Sequence, residues 1–538
     1  MHNIAFQKLG VMLDCSRNAV MTVDTYKKMV DILSSLGYNT IRLYTEDTYE
    51  VDNEPYFGYL RGRYTKDEIR EMDAYAKERG VELIPCIQTL AHLGTIFRYF
   101  EYGKIRDVDD IVLVDDERTY TLIDNMFKTI STTFSTKNVH IGMDEAFMLG
   151  RGAYLDKHGL LERAEIIKKH LDKVLELAAK YGFQCEIWGD MYMHAAYGGN
   201  YTVNRDESER VRQLVPQNVK LCYWDYYHTE IAHYEDCIER HRKLTDNISF
   251  GGGIWTWTGF CPNNRYSLKI CEAAVKACIN KKVDEVYFTM WGDNGGECSP
   301  FAVLPSLVAA SEFAKGNFDM QSIKALFYEK FGIDFDLFAA LEKPDTVYRK
   351  DTDEADTLCP AKTMLFTDPL CGIFDAVVQK GVAPAYYEKV AQELKQGESN
   401  QEWGYLFKSM RTLAEVMSIK FDIGVTTREA YRNGDKAQMK YIATEVYPTL
   451  IERVEGFYNA FEEAWMKERK TFGFEVQDIR IGGLLQRIKR CKRTLENYLD
   501  GKIDKIEELE QEILPPFGVE GKRIGHNFYG TLPTACVL

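Results

Sequence analysis

The strongest constraint on the fold is a unit that recurs within residues 1–315, in which an amphipathic helix ends at a glycine and a short apolar run follows. The unit occurs at Leu36-Gly37-Tyr38, Arg79-Gly80-Val81 and Tyr181-Gly182-Phe183. Glycine is the residue that most readily adopts the left-handed backbone that ends a helix. The helix before Arg79 opens with Thr65-x-x-Glu68, which predicts a capping box. Strands that alternate with helices in this way run parallel to one another.

The apolar runs predict eight strands with helices between them. The strands are expected near 9–14, 40–45, 82–87, 138–143, 184–188, 219–224, 248–255 and 285–290. The helices are expected near 22–36, 66–79, 119–134, 161–181, 230–244 and 266–281. Eight parallel strands over about 300 residues have the size of a (β/α)8 TIM barrel. A doubly wound open sheet is the alternative that the pattern leaves open.

Helical patterns dominate from about residue 320 onward, at 401–423, 436–468 and 478–499. The last has apolar residues along one side, as an amphipathic helix does. We therefore expect an α/β chain with a catalytic barrel at 1–318 and a mainly α-helical C-terminal domain at 319–538. The second domain could brace the barrel, complete the rim of a pocket or form a homodimer, and the sequence leaves these three roles open.

Composition excludes some classes of function. The chain has 538 residues, of which 45% are hydrophobic, and this predicts a large folded core. A formal charge of -15 argues against binding to nucleic acid or to an anionic membrane. The chain has no run of about 18 apolar residues, so no membrane span is expected. Thirteen scattered cysteines without a framework, and a start without a signal-peptide pattern, predict a cytoplasmic protein.

Two adjacent carboxylates follow the fourth predicted strand. That strand leads into His140-Ile141-Gly142-Met143-Asp144-Glu145. The dipeptide Asp-Glu occurs six times in the chain, but only here does it follow a buried-looking strand. In a barrel the carboxyl ends of the strands converge on the face where active sites lie. One carboxylate can hold part of a substrate there while the other moves a proton, a division of labour that suits glycoside hydrolysis.

Aromatic and polar residues follow the other predicted strands. Five of the seven tryptophans fall at or just beyond strand ends. Aromatic walls with carboxylates and an arginine suit a sugar, whose C–H faces stack and whose hydroxyls form hydrogen bonds. The candidate substrate-binding residues are Arg17, His92, Trp188, Trp224, Asp225, Tyr227, Trp257, Trp291 and Asp293.

These segments resemble glycoside hydrolase family 20, the β-N-acetylhexosaminidases, over residues 8–300. The resemblance rests on the His-x-Gly-x-Asp-Glu at 140–145, the Asp-x-Ser-Arg at 14–17, and the segment from Leu83 to His92. Trp188, Trp224 and Trp291 are similar to the family's aromatic cage. The chain looks like the short members, in which a barrel is followed by a helical domain.

The resemblance implies an exo-acting, retaining hydrolase that releases terminal GlcNAc or GalNAc, with the substrate's 2-acetamido group as nucleophile. Asp144 would hold the acetamido group, and Glu145 would act as general acid and then base. Arg17 and Asp293 would fix ring hydroxyls, and His92 would join the hydrogen-bond network. Where many members supply a Tyr and an Asp after the seventh strand, this chain has Ile254-Trp255-Thr256-Trp257. Tyr226 and Tyr227 are the alternatives for supporting the acetamido oxygen.

Two other functions stay open at this point. One is a barrel glycosidase that acts on non-acetamido sugars through a covalent carboxylate nucleophile, with Glu145 paired to Asp225 or Asp293. The other is a non-catalytic sugar-binding barrel. No metal or other cofactor is expected, because the chain has no His-Glu-x-x-His and no clustered His and Cys. The expected partner is a small glycan with a terminal N-acetylhexosamine.

Overall fold

Eight parallel strands form a closed barrel in this structure, a computed structural model that describes residues 4–349, 359–516 and 528–536. Each strand pairs with the next along the chain, and the last closes on the first with Lys8 opposite Glu285. The predicted TIM barrel is therefore confirmed, and the open sheet is excluded. The strands are β1 (Lys8–Asp14), β2 (Thr40–Tyr44), β3 (Glu82–Cys86), β4 (Asn138–His140), β5 (Gln184–Trp188), β6 (Lys220–Trp224), β7 (Ile248–Gly253) and β8 (Glu285–Met290).

Helices follow the strands as the sequence predicts. The helix Val23–Leu36 ends at Gly37, whose φ of 101° is left-handed, and the predicted capping box of Thr65 and Glu68 is present. The connection after β5 consists of two short helices. The α-helices of this part of the chain are Val23–Leu36, Lys66–Glu78, Phe100–Gly103, Glu117–Thr133, Ala153–His158, Arg163–Ala179, Asp190–Tyr197, Ser208–Arg212, Ile231–Leu244, Asn264–Asn280 and Leu304–Ala314. A small hairpin pairs Arg106–Val108 with Ile111–Val112.

Side chains fill the interior of the barrel. The central cluster takes one inward-facing residue from each of six strands, and Trp224 and Trp291 pack against it. Each large apolar side chain buried in this way contributes roughly 1.5–3 kcal/mol to folding. Because the centre is filled, a substrate site at the carboxyl ends of the strands, where TIM-barrel active sites form, lies above this cluster. The six residues of the cluster are Met12, Tyr44, Cys86, Trp188, Cys222 and Tyr287.

The chain divides into two compact units. The first comprises residues 1–254, 267–291 and 306–319, and the second comprises 255–266, 292–305 and 320–538. The proposed domain boundary at 318/319 stays a prediction. The second unit is mainly helical, as expected, and its α-helices are Met320–Phe331, Phe335–Ala339, Pro360–Phe366, Val382–Lys395, Gly404–Lys420, Ile423–Arg432, Lys436–Tyr441, Tyr447–Glu468, Phe474–Leu499 and Glu507–Glu510.

A buried ion pair lies within the second unit. The Lys362 Nζ lies 2.6 Å from the Glu297 carboxylate, and neither side chain is more than 1% exposed. Arg480 contacts the same carboxylate at 2.9 Å. Two cations therefore compensate one buried anion, which is the condition under which a buried carboxylate is tolerated. Trp403 and Trp465 are fully buried in the apolar core of the unit.

Within residues 4–349, 359–516 and 528–536, no helix is both long enough and apolar enough to cross a bilayer.

Candidate active site

The chain turns sharply where β4 ends. The predicted strand ran to residue 143, but the observed strand stops at His140, because Gly142 and Met143 both adopt left-handed backbone with φ of 73° and 75°. A Cβ on Gly142 would lie 1.9 Å from the Oε1 of Gln88, so only glycine fits there. Glu145 is also left-handed, with φ of 51°. A non-glycine residue in this region costs roughly 1–3 kcal/mol, so the surroundings must hold the turn in place.

Three side chains support the turn by accepting hydrogen bonds from its backbone N–H groups. The Gly142 N–H donates to the Nδ1 of His140 at 3.1 Å. The Met143 N–H donates to the Oε1 of Gln88 at 3.2 Å. The Glu145 N–H donates to the Oδ2 of Asp190 at 2.9 Å. The ends of β3, β4 and β5 thus fix the backbone that carries the two acids.

Asp144 is a buried anion. Its Oδ1 accepts a hydrogen bond from the Gln88 amide at 2.8 Å, and its Oδ2 lies 3.2 Å from the Nε2 of His92. Burial works against the charge of Asp144, but His92 and Gln88 outweigh it and hold its pKa below the usual range. Burial likewise disfavours the imidazolium of His92, yet the Asp144 carboxylate outweighs it and raises the pKa of His92 to about 10. Asp144 and His92 therefore form an ion pair at neutral pH.

Glu145 is accessible where Asp144 is not. The Glu145 side chain is 50% exposed, against 11% for Asp144, and its carboxylate lies 3.7 Å from the Nε2 of His92. A buried anion beside an accessible carboxyl group can divide binding from proton transfer.

A third carboxyl group, Asp190, completes the acidic cluster. It is buried, and burial together with the charge of Asp144 raises its pKa to about 7. The sequence analysis missed this residue. A signal was present, because Trp188-Gly189-Asp190 after β5 repeats the tripeptide Trp291-Gly292-Asp293 after β8, and only the second aspartate was selected.

Arg17 connects to Asp144 through a chain of contacts. Its Nη2 lies 3.2 Å from the buried carboxylate of Glu46. The Tyr44 hydroxyl donates to Glu46 at 3.1 Å, and the Gln88 amide donates to the Tyr44 oxygen at 3.0 Å. Since Gln88 also donates to Asp144, the ends of β1, β2, β3 and β4 share one polar network. Arg17 is 32% exposed, so its guanidinium remains accessible at one end of that network.

Three predicted tryptophans lie together at the carboxyl-terminal end of the barrel interior, where Trp188 belongs to the central cluster and Trp224 and Trp291 pack against it. The rings of Trp188 and Trp291 have centroids 6.0 Å apart, and Trp291 meets Tyr44 edge-on at 4.7 Å. Trp224 stacks on Tyr226 at 5.1 Å, and Trp291 is a hydrogen-bond partner of Tyr226. The structure thus assembles an aromatic wall from residues at or beyond the ends of β5, β6 and β8.

Asp225 and Tyr227 occupy the loop that follows β6. Asp225 accepts hydrogen bonds from the Tyr223 hydroxyl at 2.8 Å and from the Tyr227 N–H at 3.0 Å. Because side chains alternate along a strand, Tyr223 and Asp225 face the side opposite to Trp224. Tyr227 is 44% exposed. These contacts show Asp225 holding its own loop, and the roles of Asp225 and Tyr227 toward a sugar stay predictions.

One group in the described ranges has the residue types of a metal site. Asp225, His228 and His233 each offer a ligand atom, and these atoms lie within 4.8 Å of one another. The two imidazole rings, however, stack with centroids 3.5 Å apart and an angle of 14°. An ion bound by both rings would have to lie near the plane of each, which two parallel stacked rings do not allow. The arrangement fits two N–H donors that share one carboxylate.

Trp257 and Asp293 belong to the second unit. Trp257 is buried and stacks on Trp255 with centroids 4.1 Å apart. Asp293 is half-buried. Their roles in sugar binding stay predictions.

The fold and the turn after β4 define a TIM-barrel protein with an acidic, aromatic-walled site at the carboxyl ends of its strands. Residues 6–243 match the family model for the glycosyl hydrolase family 20 catalytic domain. Residues 336–527 match the one for the glycoside hydrolase 20C C-terminal domain. The chain belongs to glycoside hydrolase family 20.

Named relatives are similar over part of the chain. A beta-hexosaminidase of Vibrio furnissii is 27% identical over 177 residues, covering 26% of this chain and 29% of that protein. Hexosaminidase D of Bos taurus is 24% identical over 241 residues, covering 42% of this chain and 63% of that protein. The chain thus spans less than two thirds of the length of either relative. The crystal structure of a GH20 exo-β-N-acetylglucosaminidase from Vibrio harveyi aligns with a TM-score of 0.47 and 18% identity, covering 60% of this chain and 57% of that one.

Proposed function

We propose that the protein is an exo-acting β-N-acetylhexosaminidase that releases terminal GlcNAc or GalNAc with retention, using the substrate's own 2-acetamido group as nucleophile. The observation that carries this proposal is the turn after β4. It holds a buried anion, Asp144, next to an accessible carboxyl group, Glu145, near a wall of tryptophans.

Asp144 has the properties that the acetamido group requires. As an anion it accepts the acetamido N–H, directs the acetamido oxygen toward the anomeric carbon and stabilises the positive charge that develops on the nitrogen. The Gln88 amide and the imidazolium of His92 hold Asp144 in place and keep it ionised. An anion that is shielded from water and already in position stabilises the transition state more strongly than an anion in water does.

Glu145 supplies the proton. It protonates the glycosidic oxygen as the leaving group departs, and it then takes a proton from the water that opens the cyclised acetamido group. The new bond forms on the face that the leaving group occupied, so two inversions give net retention.

The remaining predicted residues bind the sugar. Arg17 is exposed enough to donate to ring hydroxyls. The half-buried rings of Trp224 and Trp291 offer faces on which the sugar's C–H bonds can pack, and the fully buried Trp188 supports them from the barrel core. Roles for Trp257, Asp293, Asp225 and Tyr227 follow from the family resemblance and belong to this proposal. Which of Tyr226 and Tyr227 supports the acetamido oxygen is part of the same proposal.

The setting of the reaction is also a proposal. All thirteen cysteines carry free thiols, which supports a reducing, cytoplasmic compartment and a short glycan as substrate. Whether the protein forms a homodimer is tested by measuring its molecular mass in solution.

The proposal is tested with Glu145→Gln and Asp144→Asn on N-acetylglucosaminides with good and poor leaving groups. Loss of the acid should lower kcat/KM by about 10²- to 10⁴-fold for a poor leaving group and far less for a good one. Asp144→Asn should lower the rate by about 10²- to 10³-fold for both, because it weakens acetamido participation.

A matched control is Asp107→Asn. Asp107 is a buried aspartate of the same unit that accepts N–H groups of Gly150 and Tyr154, both at 2.8 Å. Its substitution should leave the leaving-group dependence unchanged. Turnover near the wild-type rate in both Glu145→Gln and Asp144→Asn would refute the proposal.

A further inference from the structure

Asp190 occupies an unusual position for a residue outside the catalytic pair. It is the first residue of the helix Asp190–Tyr197, which begins directly after β5. Gly189 anchors this junction through a hydrogen bond from its N–H to the Cys222 carbonyl at 2.8 Å. A Cβ on Gly189 would lie 2.9 Å from that carbonyl oxygen, so the junction is closely packed. The backbone that carries Asp190 is therefore fixed, and the residue is 1% exposed.

Asp190 accepts a hydrogen bond from a residue whose backbone is strained. Glu145 has a left-handed backbone, a conformation in which glutamate is uncommon. Its N–H donates to Asp190 at 2.9 Å, and its carbonyl accepts from the Phe147 N–H at 2.6 Å. Strain of this kind persists only where the surroundings fix it, and it concentrates at functional sites. Without the acceptor, the peptide before Glu145 would be free to relax.

We infer that Asp190 is a positioning residue that aims the carboxyl group of Glu145 at the glycosidic oxygen by locking the left-handed peptide on which Glu145 stands. The inference rests on the proposed function, since it assigns Asp190 to the proton-donating step of that reaction. Each of the two acids then has its own supporting residue, since Gln88 holds Asp144 whereas Asp190 holds Glu145.

Electrostatics adds a second, weaker role. Asp190 faces the charges of Asp144 and Glu145. Burial and these like charges raise the pKa of Asp190 to about 7, so its charge varies near neutral pH. The geometric role needs only an oxygen, and an amide oxygen supplies one. Asn at position 190 thus separates the two contributions.

The test is the slope of log kcat/KM against leaving-group acidity for a series of aryl N-acetyl-β-glucosaminides, measured at one pH. Asp190→Ala should lose on the order of 10²-fold on the poorest leaving groups, which is the effect of a catalytic group displaced by about 1 Å. The best leaving groups need little acid help and should lose less than about tenfold. The plot for Asp190→Ala should therefore be steeper than that of the wild type.

Three further variants make the result decisive. Asp190→Asn should restore a slope close to the wild type. Asp107→Ala removes another buried acceptor of backbone N–H groups and should give a line parallel to the wild type. If Asp190→Ala does not fold, Asp190→Ser replaces it, because the shorter side chain does not reach the Glu145 N–H.

The outcomes also distinguish this inference from the proposed function. A parallel line for the Asp190 variants, alongside a steep line for Glu145→Gln, would overturn the positioning role and leave the mechanism intact. A wild-type slope for Glu145→Gln would overturn the mechanism itself. A steep line for Asp190→Ala with rescue by Asp190→Asn supports the inference.

Discussion

The ion pair of His92 and Asp144 predicts a specific pH dependence of stability. His92→Gln removes the group that takes up the proton and keeps a polar side chain of similar length. In the folded protein the pKa of His92 is raised to about 10 by Asp144, against an ordinary value of about 6.5 in the unfolded chain. The pair therefore stabilises the fold fully below pH 6.5, and this stabilisation disappears as the pH rises through 10.

The size of the effect follows from that pKa difference. One pKa unit corresponds to about 1.4 kcal/mol, so the contribution of His92 falls by roughly 3 kcal/mol between pH 7 and pH 10. For the first unit, which has about 290 residues, that free energy corresponds to about 5 °C in Tm. Other groups also titrate over this range, but they do so in both proteins and cancel in the difference.

The assay is thermal unfolding of wild type and His92→Gln at pH 7, 8.5 and 10, followed by tryptophan fluorescence. The Tm of the variant should lie below that of the wild type at pH 7, and the gap should close by pH 10. The loss of packing in the variant does not depend on pH, so any residual gap at pH 10 measures that loss. An equal gap at all three values would refute the assignment of a charged His92.

Two further substitutions test the turn and the second unit. Gly142→Ala should abolish most activity and lower the Tm, because the new Cβ would lie 1.9 Å from Gln88 in a left-handed conformation; a variant with wild-type kcat and Tm would contradict this geometry. Lys362→Met should destabilise the second unit by about 3–5 kcal/mol, because it leaves Glu297 buried with Arg480 as its remaining cation; an unchanged urea midpoint would show that the ion pair is not required.

The barrel was predictable from the sequence because its signals are local. A glycine after three of the helices and an apolar run after each of these glycines recur along the chain, and the strands observed match all eight that were expected. The end of β4 was the least accurate boundary. His140 to Met143 is apolar enough to continue a strand, and the left-handed backbone at 142 and 143 depends on side-chain acceptors from His140 and from Gln88, which follows β3.

The supports of the acids could not be predicted in the same way. Gln88 belongs to no motif, and the tripeptide that Asp190 shares with Asp293 does not show what Asp190 binds. Their roles depend on which backbone N–H each one reaches across the barrel. Asp225 is the opposite case. Its neighbour Trp224 faces the barrel interior, so the alternation of side chains along β6 already indicated that Asp225 faces the other way.

The grouping of the loops was also beyond local patterns. Trp257 and Asp293 follow barrel strands in the sequence, and the sequence analysis therefore placed them at the barrel mouth. By their contacts, the segments 255–266 and 292–305 group with residues 320–538. Such contacts join residues that are distant in the chain. A sequence pattern that extends over ten or twenty residues therefore cannot predict them.

The central claim is that the substrate's acetamido group, held by Asp144, performs the nucleophilic attack. The most direct measurement compares two chromogenic β-glucosides that differ only at carbon 2, one with an acetamido group and one with a hydroxyl. Intramolecular attack by a well-oriented group is worth many orders of magnitude, so the acetamido sugar should be cleaved at least about 100-fold faster. Comparable turnover of the two sugars by the wild type would contradict the account.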